Sequence, residues 1–215
     1  MTAIPAATAA PRLVLITGAP ASGKSELAGR LAARYRAVCC SKDSIKEILL
    51  DTLGSGDAGW SRRLSNASFS VLFEFAPLLC RAERPLLLEG NFRPGEHERP
   101  LAALLSAAGA QLAQVLCMAT HATRAGRLAA RAHDPRRHPG HHDAHPGTQP
   151  AAQVRCAADA GSEAGFLQLS GPRLAFDSDA PRAPQLAILY TRLDAWGLAC
   201  INIDPPPATH ASIER

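Results

Sequence analysis

The segment ITGAPASGKSEL, residues 16–27, constrains this chain more tightly than any other. Gly18 and the triplet Gly23-Lys24-Ser25 match the spacing G-x-x-x-x-G-K-[ST], the P-loop. Gly18 and Gly23 let the main chain turn sharply and approach an anion with no Cβ in the way. The N–H groups from Ala19 to Ser25 can then converge as an anion nest. A helix starting near Lys24 adds the positive end of its dipole. Lys24 brings a mobile positive charge, and Ser25 brings a hydroxyl suited to Mg²⁺, which prefers oxygen ligands. Gly18, Ala19, Pro20, Ala21, Ser22, Gly23, Lys24 and Ser25 are therefore the candidate nucleotide-binding loop.

The flanks agree with this reading. RLVLIT, residues 12–17, is a β-branched apolar run of the kind buried in parallel sheets. KSELAGRLAARY, residues 24–35, places Leu27, Ala28, Leu31 and Ala32 on one helical face. Further strands are expected at 37–40, 85–89, 111–118 and 173–177, and helices at 44–53, 61–82, 97–108, 121–133 and 184–196. Pro77 should kink the third helix or cut it short. The alternation implies an α/β fold, a three-layer αβα sandwich around a parallel sheet, with ligands at the carboxyl ends of the strands. GSGDAG, residues 54–59, reads as a flexible joint. Residues 134–150 hold His, Pro, Gly and Arg with no large apolar side chain, as an exposed functional loop would.

The 215 residues suffice for one domain with a proper core, expected over 12–203 between loose tails at 1–11 and 204–215. Charged residues make up 20% and aromatic residues 5%, so the chain reads as soluble and helix-rich. A net charge of +4 permits anionic substrates without arguing for nucleic acid. The six cysteines show no CxxC spacing, and most lie in apolar runs, so they are expected to be buried free thiols of a cytoplasmic protein. No apolar run reaches membrane-spanning length, and the first residues lack the pattern of a signal peptide.

A GTPase switch would carry N-K-x-D and a ring-forming motor would need a further helical domain; neither is evident. VCCSKDSIKEIL puts Asp43 just past a strand and at the start of a helix, beside the loop mouth. A kinase needs a carboxylate there to take the acceptor hydroxyl's proton. The bland alternative is a helix cap, but Ser44 and Glu47 form their own S-x-x-E box, which would leave Asp43 free. Together GAPASGKS, SKDSIKEIL, LLLEGNF and RLAARAH…RHPGH resemble small P-loop kinases of the group labelled AAA-family ATPase or predicted kinase. Chloramphenicol phosphotransferase, zeta toxins and the kinase domain of phage polynucleotide kinase are similar more remotely. The resemblance covers about residues 12–180. It implies a five-stranded parallel core, a short lid near 121–150, ATP, Mg²⁺ and phosphoryl transfer to a hydroxyl. It also implies that Asp43 is the base, and places Lys46 at the family's basic position. Glu89 stands where relatives often carry Asp, as a candidate partner of the metal.

Arg124, Arg127 and Arg131 share one helical face and read as a lid helix closing over phosphate, with Arg127 and Arg131 favoured by the family match. A solvated basic face is the alternative. His138, His141, His142 and His145 lack Cys partners and are broken up by prolines, which disfavours zinc. Asn91 and Arg93 should face the site, and Trp60, Arg62, Arg63 and Asn66 could touch the acceptor. The reading is an ATP-dependent kinase with Lys24, Asp43, Arg127 and Arg131 as catalytic candidates and Ser25 and Glu89 as metal candidates. Its acceptor is a small molecule. A polynucleotide 5′-end kinase is the first alternative, disfavoured by the poverty of aromatics for base stacking. A non-catalytic ATP-binding regulatory module is the second.

Overall fold

The apolar run before the glycine loop becomes the central strand of a parallel sheet. The computed structural model describes residues 10–82, 84–132, 134, 138 and 165–198. Strands β1 (Arg12–Gly18), β2 (Val38–Ser41), β3 (Leu86–Glu89), β4 (Gln111–Met118) and β5 (Arg173–Asp177) form one sheet in the order β2-β3-β1-β4-β5. Every neighbouring pair is parallel. The helices are α1 (Lys24–Tyr35), α2 (Lys42–Leu53), α3 (Ala58–Leu79), α4 (Glu98–Ala108), α5 (His121–Ala132) and α6 (Arg182–Ala195).

The two-residue period of the strands divides the core into two layers. Val14 and Ile16 of β1, with Leu87, Val115 and Phe176, meet Leu27, Leu31 and Tyr35 of α1 and Leu189 and Leu193 of α6. Leu13 and Leu15 point the other way and, with Leu86, Leu88 and Leu112, meet Phe69, Leu72 and Ala76 of α3 and Leu101 and Leu104 of α4. The result is the expected three-layer αβα sandwich. Ile16 and Ser41 are both in register with Glu89, and Gly18 is in register with Cys117. The carboxyl ends of β1, β2 and β3 therefore bring Gly18, Ser41 and Glu89 to one edge. No helix among the described residues is long and apolar enough to cross a membrane.

Several local expectations change. α2 begins at Lys42, with Ser41 as its N-cap residue, so Ser44 does not start the helix and the Ser44–Glu47 capping box is not its N-terminus. Asp43 lies inside the first helical turn rather than ahead of it. α3 starts at Ala58 and ends at Leu79, two residues past Pro77. The helix thus ends within a turn of the proline and short of the expected residue 82, as a residue with no N–H for the carbonyl four back leads one to expect. The glycine joint is fastened rather than loose. Asp57 accepts a hydrogen bond from Trp60 N at 2.7 Å, and Trp60 Nε1 donates to Gly54 O at 2.9 Å. Cys80 and Cys117 are buried free thiols, but Cys39 is exposed on β2. Cys156, Cys200, residues 1–9 and 204–215 of the expected tails and most of the His-rich loop, including His141, His142 and His145, lie outside the described residues.

The Asp57 cap gives a measurable expectation. Asp57→Ala should cost about 1 kcal/mol in urea unfolding, and Asp57→Asn only a fraction of that, because Asn caps nearly as well. Equal losses in the two variants would mean that the aspartate acts through charge and not as a cap.

Candidate functional site

Gly18 leaves β1 with φ 144°, and a Cβ there would run into the Cys117 carbonyl oxygen. Gly23, the N-cap residue of α1, has φ 93°. Between them Ala21 is buried with φ 62°, a left-handed conformation that costs an alanine about 1–2 kcal/mol. Such strain persists only where the surroundings fix it. Ser22 N donates to Ala19 O at 3.2 Å, which closes the loop's turn. Ser22 Oγ is buried without a hydrogen-bond partner.

Lys24 is the first residue of α1 and only 9% exposed. Its Nζ donates to Ala19 O at 2.9 Å, bending back onto its own loop. Burial pushes its pKa below the ordinary value, while Glu89, Cys117 and Asp43 pull it back up and Arg131 lowers it further. Those groups thus lie within electrostatic reach of one ammonium. Among the described residues no ion pair engages Lys24. Burying an ammonium with no carboxylate in contact is costly, and an anion bound in the loop would offset part of that cost. The same desolvation pushes the Cys117 thiol up to about 12, so that sulfur is inert.

The residues also fit a nucleotide-borne Mg²⁺. Such an ion takes most of its oxygens from phosphates and water and needs few from protein. Ser25 is exposed on the first turn of α1, and Glu89 is a buried carboxylate at the end of β3. No cluster of three or more His, Cys, Asp or Glu is found among the described residues, and an ion of this kind does not require one. Glu89 Oε2 accepts a 2.6 Å hydrogen bond from Ser41 Oγ. That contact draws the Ser41 hydroxyl away from the α2 amides, and the helix has no side-chain cap.

Asp43 is half-exposed, and its Oδ1 lies 3.2 Å from Nζ of the buried Lys42. Lys42 also sits over the Phe69 ring at 5.7 Å. Lys46, one turn on, is buried and donates to Ser61 Oγ at 2.8 Å. On α5 the three arginines separate. Arg124 is buried and donates through Nε to Pro20 O at 3.0 Å. Arg127 donates through Nη1 to Ala21 O at 3.1 Å and to Ser178 Oγ at 2.9 Å. Arg131, half-buried in the last turn, reaches Lys24 only through its field.

The other candidates have surroundings of their own. Arg93 is exposed and paired with Glu96 at 3.3 Å. Trp60 is tied to Gly54 and lies under the Arg63 guanidinium at 5.1 Å, while Arg62 and Asn66 are exposed. Asn91 is half-buried just beyond β3. His138 Nε2 meets Asp51 Oδ1 at 2.9 Å, linking the His-rich segment to α2. Ser41, Lys42 and Ser178 join the site without having been singled out in the sequence. Lys42 and Lys46 do stand one helical turn apart there, but such a pair usually marks a solvated face.

The AAA domain family, AAA_33, matches residues 13–146 of this chain. A proposed kinase from Chloroflexus aurantiacus J-10-fl is 31% identical, with a TM-score of 0.70 over 85% of this chain and 97% of its own. A sugar kinase from Janibacter sp. HTCC2649 is 14% identical, with a TM-score of 0.54 over 88% of this chain and 98% of its own. The APS kinase CysC of Mycobacterium tuberculosis is 17% identical, with a TM-score of 0.50 over 86% of this chain and 98% of its own. At their identities the last two show the fold, the P-loop NTPase architecture, and no more. No curated protein matches the sequence.

Lys24→Met separates stability from binding. Because the folded pKa lies below the usual value, the buried ammonium costs stability. The cost sets in as pH falls below the unfolded value near 10.5 and is complete below the lowered folded one. At neutral pH the methionine variant should melt no lower than wild type without nucleotide, yet lose the melting-temperature rise that ATP gives. A variant that keeps that rise would show that the lysine does not meet the phosphates.

Proposed function

Since the chain belongs to the AAA domain family and has a P-loop kinase-like fold, we propose that it is an ATP-dependent phosphotransferase acting on a hydroxyl of a small molecule. The observation that carries this reading is the buried Lys24 ammonium, inside a backbone nest, with no ion pair among the described residues and with Asp43 and Glu89 in its field. Gly18 to Ser25 hold the phosphates of ATP. Ser25 and Glu89 present oxygens to Mg²⁺, which when bound neutralises charge on the transferring phosphates. Asp43 takes the proton of the acceptor hydroxyl, and Lys42 holds that carboxylate from one side. Arg131 approaches the transferring group, whose spreading negative charge a guanidinium stabilises. Arg127 already serves the loop and Ser178, so its share on phosphate is the smaller. The four cysteines among the described residues are free thiols, which suits a cytoplasmic setting.

The direct test is a transfer screen with γ-labelled ATP across sugars, nucleosides, aminoglycosides and oligonucleotides. Label on a small hydroxyl compound supports the reading. Label only on oligonucleotide ends would replace it with an end kinase, and ATP binding without any transfer would favour a regulatory module.

Two substitutions sharpen the roles. Asp43→Asn keeps the side chain's shape and removes the proton acceptor. Transfer should fall about a hundredfold or more with ATP binding nearly unchanged, while loss of the Lys42 ion pair lowers the melting temperature. Wild-type transfer in this variant would remove Asp43 from the chemistry. Arg131→Ala should lower kcat more than it raises KM for ATP, because the charge it meets grows in the transition state. A change in KM alone would make Arg131 a ground-state binding group.

A further inference from the structure

A loop whose N–H groups are kept for an anion still has buried carbonyls, and these need donors of their own. On the outside of this loop the donors come from α5. Arg124, 2% exposed, donates Nε–H to Pro20 O at 3.0 Å, and Arg127 donates Nη1–H to Ala21 O at 3.1 Å. These two carbonyls flank Ala21, the loop residue held at φ 62°. An alanine left to itself would leave that region, and its neighbouring amides would swing with it. Pro20 supplies no N–H to the nest, so the inward donors must come from the residues around it. The loop is thus held by two guanidinium groups of α5, at the peptide carbonyls on either side of its left-handed residue.

We propose that Arg124 is a positioning residue of the nucleotide site. By holding Pro20 O it keeps Ala21 left-handed and the loop's N–H groups aimed inward, without itself touching ATP. The role rests on the reading of Gly18 to Ser25 as the ATP loop. It differs from the phosphate contact that the shared face of Arg124, Arg127 and Arg131 suggested for a lid helix. An arginine suits the task because its planar fork fixes direction and stays charged when buried. A lysine would reach the same carbonyl with a freely rotating donor.

Two measurements on the full chain test this. Calorimetric titration with ATP and Mg²⁺, without any acceptor, should show Kd raised tenfold or more in Arg124→Met and partly restored in Arg124→Lys. Leu189→Ala, a core substitution in α6, should lower the melting temperature and leave Kd as in wild type. Hydrogen exchange without nucleotide should show the Ser22 amide, bonded to Ala19 O, exchanging at least tenfold faster in Arg124→Met. Wild-type ATP affinity in Arg124→Met, or an equal loss in Leu189→Ala, overturns the proposal. If Arg124→Met does not fold, an Arg124→Lys variant with ATP affinity and Ser22 exchange both within twofold of wild type overturns it. If the wild-type chain binds no ATP, the proposed function fails, and unchanged Ser22 exchange then overturns the positioning role separately.

Discussion

The approach of β1 to β4 at Gly18 governs where the loop leaves the sheet. Gly18 is in register with Cys117, and the space a Cβ would need is filled by the Cys117 carbonyl oxygen. No other residue type fits that backbone, and the chain is forced out of the sheet in one direction. Gly23 then resets the path with a second positive φ and starts α1. The position of Lys24, and through it the relation of the loop to Glu89 and Asp43, follows from these two residues.

Around that pivot the site concentrates buried cations. Lys24, Lys42, Lys46 and Arg124 are all buried, and Glu89 is the buried carboxylate among them. Buried lysines and arginines are uncommon because each loses its hydration. The fold offsets part of that cost with backbone carbonyls at Ala19 and Pro20, with Asp43, and with the face of Phe69. The remainder is what an anionic ligand can recover on binding.

The strands and the loop were legible because their signals are local. Apolar runs of the right length, glycines at fixed offsets and a helical stripe starting at Lys24 do not depend on distant partners. What could not be read depends on contacts across the chain. Ser44 and Glu47 look like a helix start, but α2 begins at Lys42, and nothing local shows that the Ser41 hydroxyl is held by Glu89, 48 residues away. The three arginines of α5 were recognisable as one face, yet which of them meets the loop is set by how α5 packs, 104 residues from Pro20 in the case of Arg124. Lys42 was not singled out, and only the resemblance marked Lys46, because their burial comes from the packing of α2 against α3.

The composition of α2 has a further consequence for how the molecule opens. α1 buries Leu27, Ala28, Leu31 and Tyr35, and is laced to α6 by Tyr35 and Arg34 on Asp194. The buried positions of α2 are two lysines and Leu50, and its first turn has no side-chain cap. Local opening costs least where little apolar surface is buried and end amides are unsatisfied. By that measure α2 opens more readily than α1, and Asp43 rides on the less apolar-packed of the two helices.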